Sequence, residues 1–278
     1  MLVGPLVGAV DPEQLAAARA LFEARKLPDA QQAFAKLATA DPQNAEVNFY
    51  LGELAWRRDD AEKTVAYFEQ AVAGDPKMSR YQRRLGDAYG RTAQKAGAFS
   101  KFGWARKCLA AYQRAVELDP KDVDAHSSLF DYYRMAPGIA GGSNEKALAE
   151  AAAMKQLNPA RGRIAFATFY LGEKKSDQAL AQFDEVLKTN PDDYASLYQI
   201  GRLAALSGQF VDRGIASLRR CLELPVPPSA PGHAAAQWRL GNLLEKKGAK
   251  PAARAAYEAS LKLDATFTAA EEALRKLE

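Results

Sequence analysis

Apolar residues recur three and four positions apart along nearly the whole chain, as in Phe267, Ala270, Leu274 and Leu277, and polar residues fill the positions between. That spacing puts the apolar set on one side of a helix. No run of β-branched residues alternates as a half-buried strand requires. Prolines punctuate the pattern at Asp41-Pro42, Asp75-Pro76, Asp119-Pro120, Asn158-Pro159, Asn190-Pro191 and Leu224-Pro225, at intervals of 34, 44, 39, 32 and 34 residues. Proline lacks an N–H and disfavours helix at the residue before it, so each dipeptide is expected where a helix ends and a short turn begins. A period near 34 residues predicts a unit of two helices.

Alignment on these prolines places a small residue at Ala30, Thr64, Cys108, Ala147, Ala179, Gly214 and Ala253. Four residues later come Phe34, Phe68, Tyr112, Ala151, Phe183, Leu218 and Tyr257. The pair shares a helical face, the small member admitting a neighbouring backbone. A second signature, Leu51-Gly52, Leu85-Gly86, Ile200-Gly201 and Leu240-Gly241, marks the first helix of a unit, where glycine allows the paired helix close. Together these residues resemble the tetratricopeptide repeat family from about Asp11 to Glu278. The resemblance implies an all-α fold, a right-handed α-solenoid superhelix of antiparallel helix pairs. About seven repeats are expected, starting near residues 11, 45, 79, 123, 160, 194 and 234 in a single array over 11–278. A capping helix at 266–278 closes it, with Glu271, Glu272, Arg275 and Lys276 as its polar side.

Two repeats depart from the pattern. The third has about ten extra residues within Thr92 to Arg106, carrying Phe99, Phe102 and Trp104 among basic residues. Packing of these aromatics against the array is expected, with a partner-binding flap as the alternative. The fourth has an extra loop, Pro137 to Ser143, read as a long turn ending in a Ser143 or Asn144 cap, with anion capture as the alternative. Both insertions resemble those of a bacterial group within the family. The Pro-rich link from Pro225 to Pro231 reads as a stiff spacer.

Charge and chemistry narrow the function. Thirty-eight basic and 34 acidic residues give a net charge of +4 on a mixed surface. Nonspecific nucleic-acid binding through an arginine-rich face is the alternative function, but Glu53, Asp87, Asp124 and Asp131 would interrupt a basic stripe. No stretch reaches the length of a membrane span. His126 and His233 lack companions at metal-ligand spacing, so neither a metal site nor a cofactor is expected. Asp124, His126 and Ser127 point in different directions on a helix, and His126 reads as a packing residue. Cys108 and Cys221 sit where the repeat takes small residues, three repeats apart, too far to pair. An enzyme is the least favoured class, because no nucleophile, base and metal set converges. Residues 1–10 form an apolar leader or a signal-peptide remnant, so an exported, periplasmic protein and a cytoplasmic one both remain open.

The resemblance implies an interaction scaffold whose concave face, lined by first helices, binds a peptide or protein without catalysis. The candidate peptide-binding residues are Tyr50, Glu53, Trp56, Arg80, Arg83, Arg84, Asp87, Arg91, Asp131 and Arg134. A second set comprises Tyr198, Arg202, Trp238 and Arg239. Arginine forks recognise carboxylates, so a partner of acidic character is expected. The arginines could instead pair with Glu46, Glu53, Asp124 and Asp131 of neighbouring repeats. Family members that hold a partner's C-terminal carboxylates use a Lys and an Asn where Ile164 and Thr168 stand here. Gln199 and Arg239 occupy comparable places, but the full set is lacking.

Overall fold

The computed structural model describes residues 10–228 and 230–277, so the leader lies almost wholly outside them. Among the described residues there are fifteen α-helices, one short 3-10 turn and no strand. By contacts the chain divides between Glu150 and Ala151 into two units.

The first unit contains α1 (Pro12–Glu23), α2 (Leu27–Ala40), α3 (Ala45–Arg57), α4 (Ala61–Gly74), α5 (Ser79–Lys95), α6 (Ala98–Leu118), α7 (Val123–Met135) and a 3-10 turn (Gly138–Ala140). It also holds the start of α8 (Asn144–Leu157), within which the division falls. Helices α1 and α2, α3 and α4, and α5 and α6 pack as neighbours. The short links between them make each pair antiparallel. The Asp-Pro turns work as expected. Asp41, Asp75 and Asp119 follow the last helical residue, and their carboxylates accept the N–H two residues on, at 3.0–3.1 Å. Asn44 and Asp122 then cap the next helix, accepting from Val47 N and from Asp124 N. The fourth residue of the capped helix reaches back to the proline carbonyl: Asn48 Nδ2 at 2.8 Å to Pro42 and His126 Nε2 at 3.0 Å to Pro120. His126 is buried, with Nδ1 2.6 Å from Glu150 Oε2, which makes it a packing and positioning residue.

The second unit takes the rest of α8, then α9 (Pro159–Gly172), α10 (Ser176–Leu187), α11 (Tyr194–Ser207), α12 (Val211–Glu223), α13 (His233–Lys246), α14 (Lys250–Leu263) and α15 (Thr268–Lys276). Again α9 and α10, α11 and α12, and α13 and α14 pair, and α15 packs on α14. One core runs through Leu197, Leu218, Ala236, Leu243 and Tyr257, with Leu274 of the last helix and Leu277 just after it packed against it. Asn158-Pro159 departs from the expected turn: Asn158 caps α9 through Arg161 N, with proline in the first turn, so a single residue separates α8 from α9.

The third-repeat insertion lengthens both of its helices, to 17 residues in α5 and 21 in α6. The expected burial of its aromatics is corrected here. Phe99 is fully exposed and Phe102 is 40 % exposed. Trp104 is half-buried against Tyr89, with ring centroids 5.6 Å apart. Position explains the difference, since Phe99 and Phe102 lie in the first two turns of α6. The fourth-repeat loop turns through Gly141 at φ 91° and ends with Ser143 Oγ accepting from Lys146 N, a cap of the expected kind.

Candidate protein-interaction surface

First-helix residues carry every candidate. In the first unit the structure brings Glu53, Trp56, Arg80, Arg83, Arg84, Asp87 and Arg91 together, largely by pairing them with one another. Arg84 donates Nε to Glu53 and NH1 to Asp87 at 2.6 Å, and its guanidinium lies 4.7 Å from the Trp56 ring centroid. Burial opposes its charge, but Glu53 and Asp87 outweigh burial and hold its pKa above the usual value. Arg83 lies 3.8 Å from Asp87, which also accepts from Tyr112 at 2.7 Å. Arg91 packs over Trp56 and donates to the Trp56 carbonyl at 3.0 Å and to Asp59 at 3.3 Å. Glu53 and Asp87 are thus the partners of the arginines, whereas Glu46 pairs with Arg19 and Asp131 with Arg134. Arg80 has no ion-pair partner among the described residues and lies 4.2 Å over Phe49. Tyr50 belongs to the core and not to a binding face: it is buried and stacks on Phe34 at 4.8 Å with an interplanar angle of 10°.

The second unit repeats this geometry with different charges. Arg84 lies two residues before Gly86, and its carboxylates follow Gly52 and Gly86; in α13 the matching arginine is Arg239, before Gly241. The residues in the carboxylate places are Arg202, after Gly201, and Asn242, after Gly241. Arg239 accordingly has no ion pair with an acid among the described residues. Its Nε is buried without a hydrogen-bond partner, as are those of Arg83 and Arg134, and its guanidinium lies 4.1 Å over Trp238, which packs on Phe267. Arg202 donates to Gln199 Oε1 at 3.5 Å, and its pKa falls below the usual value through burial and then through the charge of Arg239. Asn242 Oδ1 is taken by the Tyr257 hydroxyl at 2.9 Å. Beside Arg239 a cavity of about 380 Å³ is lined by Ala205, Asn242, Glu245 and Lys246. Tyr198 is buried in the core of this unit. The signal was in the sequence: the residue after each Leu-Gly or Ile-Gly changes from acid in Glu53 and Asp87 to Arg202 and Asn242.

No group of three or more His, Cys, Asp or Glu residues that could hold a metal occurs among the described residues. Both cysteines are buried, with thiols pushed up to about 12 by burial. No helix among the described residues is long and apolar enough to cross a membrane.

A family model of the tetratricopeptide repeat matches residues 15–79, 164–212 and 203–266, and the chain belongs to that family. Solved structures agree in fold. A tetratricopeptide repeat protein from Parabacteroides merdae is 14% identical with a TM-score of 0.64, over 97% of this chain and 99% of that one. A thermophilic repeat protein from Thermus thermophilus is 21% identical with a TM-score of 0.53, over 70% and 97%. The C-terminal part of a repeat-containing protein from Cytophaga hutchinsonii is 16% identical with a TM-score of 0.52, over 94% and 99%. No curated protein matches the sequence. The repeats and these neighbours support a protein-interaction scaffold as the general role.

Proposed function

We propose that this protein is a non-catalytic scaffold that receives an acidic segment of a protein partner on the first-helix face of its second unit, at Arg202 and Arg239. The observation that carries this reading is a pair of partly buried arginines with no ion pair to an acid among the described residues, the charge of Arg239 acting on Arg202. The equivalent arginine of the first unit has two carboxylates. An uncompensated buried cation costs stability, and a carboxylate supplied by a partner removes that cost while gaining a forked, charge-assisted hydrogen bond. Trp238 and Phe267 flank the arginines and reduce the access of water, which strengthens the contact. In the first unit Arg80 and Arg83 extend the basic character, but Arg84 and Arg91 are engaged within the chain.

The test is affinity capture with the full chain, followed by binding measurements on the captured partner. Replacing both Arg202 and Arg239 by Gln should weaken binding about 10- to 100-fold, the equivalent of one charge-assisted hydrogen bond of roughly 1.5–3 kcal/mol. Raised salt should slow association of the parent more than it speeds dissociation. Equal affinity of parent and double variant at low salt would place recognition elsewhere.

A further inference from the structure

The two insertions meet in the first unit and leave a groove that the repeat pattern alone would not make. The lengthened α5 and α6 pack beside α7, which keeps its ordinary 13 residues, and the fourth-repeat loop joins them through Pro137 and Ala140. Between them opens a cavity of about 460 Å³, walled by Phe102, Ala105, Tyr132, Met135 and Pro137, with Lys101 at its edge. That volume is within the roughly 300–1,000 Å³ typical of ligand pockets. Its walls are held in place: the Tyr132 hydroxyl lies 2.9 Å from the Ala105 carbonyl and 2.7 Å from that of Ala140, tying α7 to α6 and to the loop. Of the residues that line it, Met135 is 69 % and Phe102 40 % exposed. Large apolar side chains gathered at one exposed place mark an interaction surface.

The charges around this groove are unequal. Asp87 and Asp131 line it, but Asp87 accepts from Arg84 and Tyr112, and Asp131 lies 3.1 Å from Arg134. The basic residues have fewer partners. From Thr92 to Lys107 the chain carries Lys95, Lys101, Arg106 and Lys107 and no acid. Lys95 pairs with Asp59 and Lys107 lies over Trp104, whereas Lys101 and Arg106 have no ion pair among the described residues. Gly97 precedes helix α6, which has no side-chain cap and no acid in its first turn, so its positive end adds to the charge of Lys101.

We infer that this groove is a second docking site, taking a protein segment that presents a bulky apolar side chain flanked by carboxylates. The apolar side chain enters the cavity between α6 and α7, and a flanking carboxylate meets Lys101 and the start of α6. A concave, walled cavity suits a side chain entering it, whereas a bilayer would require a convex apolar edge. The site lies in the other unit from Arg202 and Arg239, and it stands or falls independently of them.

The probe is a blocked hexapeptide, Glu-Glu-Phe-Leu-Glu-Glu, titrated into the full chain labelled for amide NMR. Saturable shifts are expected at Ala105, Met135 and Ala140, apart from any shifts near Arg239. Lys101→Glu and Phe102→Ser should each weaken these shifts at least fivefold; both residues are exposed, so the fold is retained. The Arg202→Gln, Arg239→Gln double variant should leave them unchanged. Failure of these amides to shift would overturn the inference. So would equal affinity there for Glu-Glu-Ala-Ala-Glu-Glu, which lacks the apolar residues, or for Lys-Lys-Phe-Leu-Lys-Lys, which reverses the charge. Anionic phospholipid vesicles that shift these amides where the peptide does not would overturn it in favour of a membrane surface.

Discussion

Gly241→Ala should destabilise the second unit even though alanine is the better helix former. A Cβ at Gly241 would lie 2.3 Å from Tyr257 Cε1 and 2.6 Å from Cδ1, well inside contact distance. The ring cannot swing away cheaply, because Tyr257 is fully buried and its hydroxyl lies 2.9 Å from both Asn242 and Glu245. Overpacking of this kind costs roughly 1–3 kcal/mol. Alanine recovers about 1 kcal/mol of helix propensity. The pinned ring favours the upper part of the range, giving a net loss of about 1–2 kcal/mol. The cost has a ceiling, since Ala167 holds the glycine register in α9 and shares a core with Phe183, so a helix pair can admit a methyl by shifting. At ~2–4 °C per kcal/mol for a chain of this size, the midpoint should fall by about 2–8 °C. Gly103→Ala is the matched control: it lies inside α6, a Cβ there meets nothing within 4 Å, and it should gain up to about 1 kcal/mol. Thermal unfolding followed by helical circular dichroism measures both. A Gly241→Ala chain melting at or above the parent would refute the steric reading of the Leu-Gly signature.

Arg84→Ala should cost roughly 3 kcal/mol by leaving Glu53 without its cation and Asp87 with only the longer ion pair to Arg83, whereas Arg202→Gln should raise the midpoint of the ligand-free chain by relieving repulsion with Arg239; thermal melts of the two variants decide. The Cys108 and Cys221 thiols, pushed up to about 12 by burial, should react with iodoacetamide at about pH 8 at least ~100-fold more slowly than in denaturant. Burial also pushes Tyr132 and Tyr194 up to about 12. Unfolded thiols and phenols lose protons from about pH 9 upward while the folded chain keeps them, so this contribution is complete below about pH 9 and is lost as pH rises toward 12. Denaturant midpoints should therefore fall between about pH 8 and about pH 10.5, and a constant midpoint would contradict the assignment.

Much of the fold was legible because local chemistry and long-range packing agree in this chain. Asp41, Asp75 and Asp119 stop helices and form the turns that their side chains and the following prolines dictate. Gly52, Gly86, Gly201 and Gly241 each lie against the residue that fills the second-helix place, Phe68, Tyr112, Leu218 and Tyr257. Positions set by more than one helix were harder to read. Tyr50 shares a register with Arg84, yet it is drawn into the core by Phe22 and Phe34, on helices that the register of α3 does not include. Phe99 and Phe102 look like core by composition, but in the first two turns of α6 they stay exposed. Which arginine takes Glu53 depends on the offset between α3 and α5, and spacing along one helix does not contain that offset. The Arg202 and Arg239 pair was visible as the loss of acids after Gly201 and Gly241, a contrast that gained meaning once Glu53 and Asp87 were seen to hold Arg84.

The most direct test of an acid-receiving face in the second unit is a calorimetric titration at low salt with hexaglutamate, which carries carboxylates and no bulky apolar side chain. The parent chain should bind it saturably, Arg84→Gln should bind it as the parent does, and the Arg202→Gln, Arg239→Gln double variant should bind it at least tenfold more weakly. Equal binding by the parent and the double variant, or no saturable binding by the parent, would contradict the assignment.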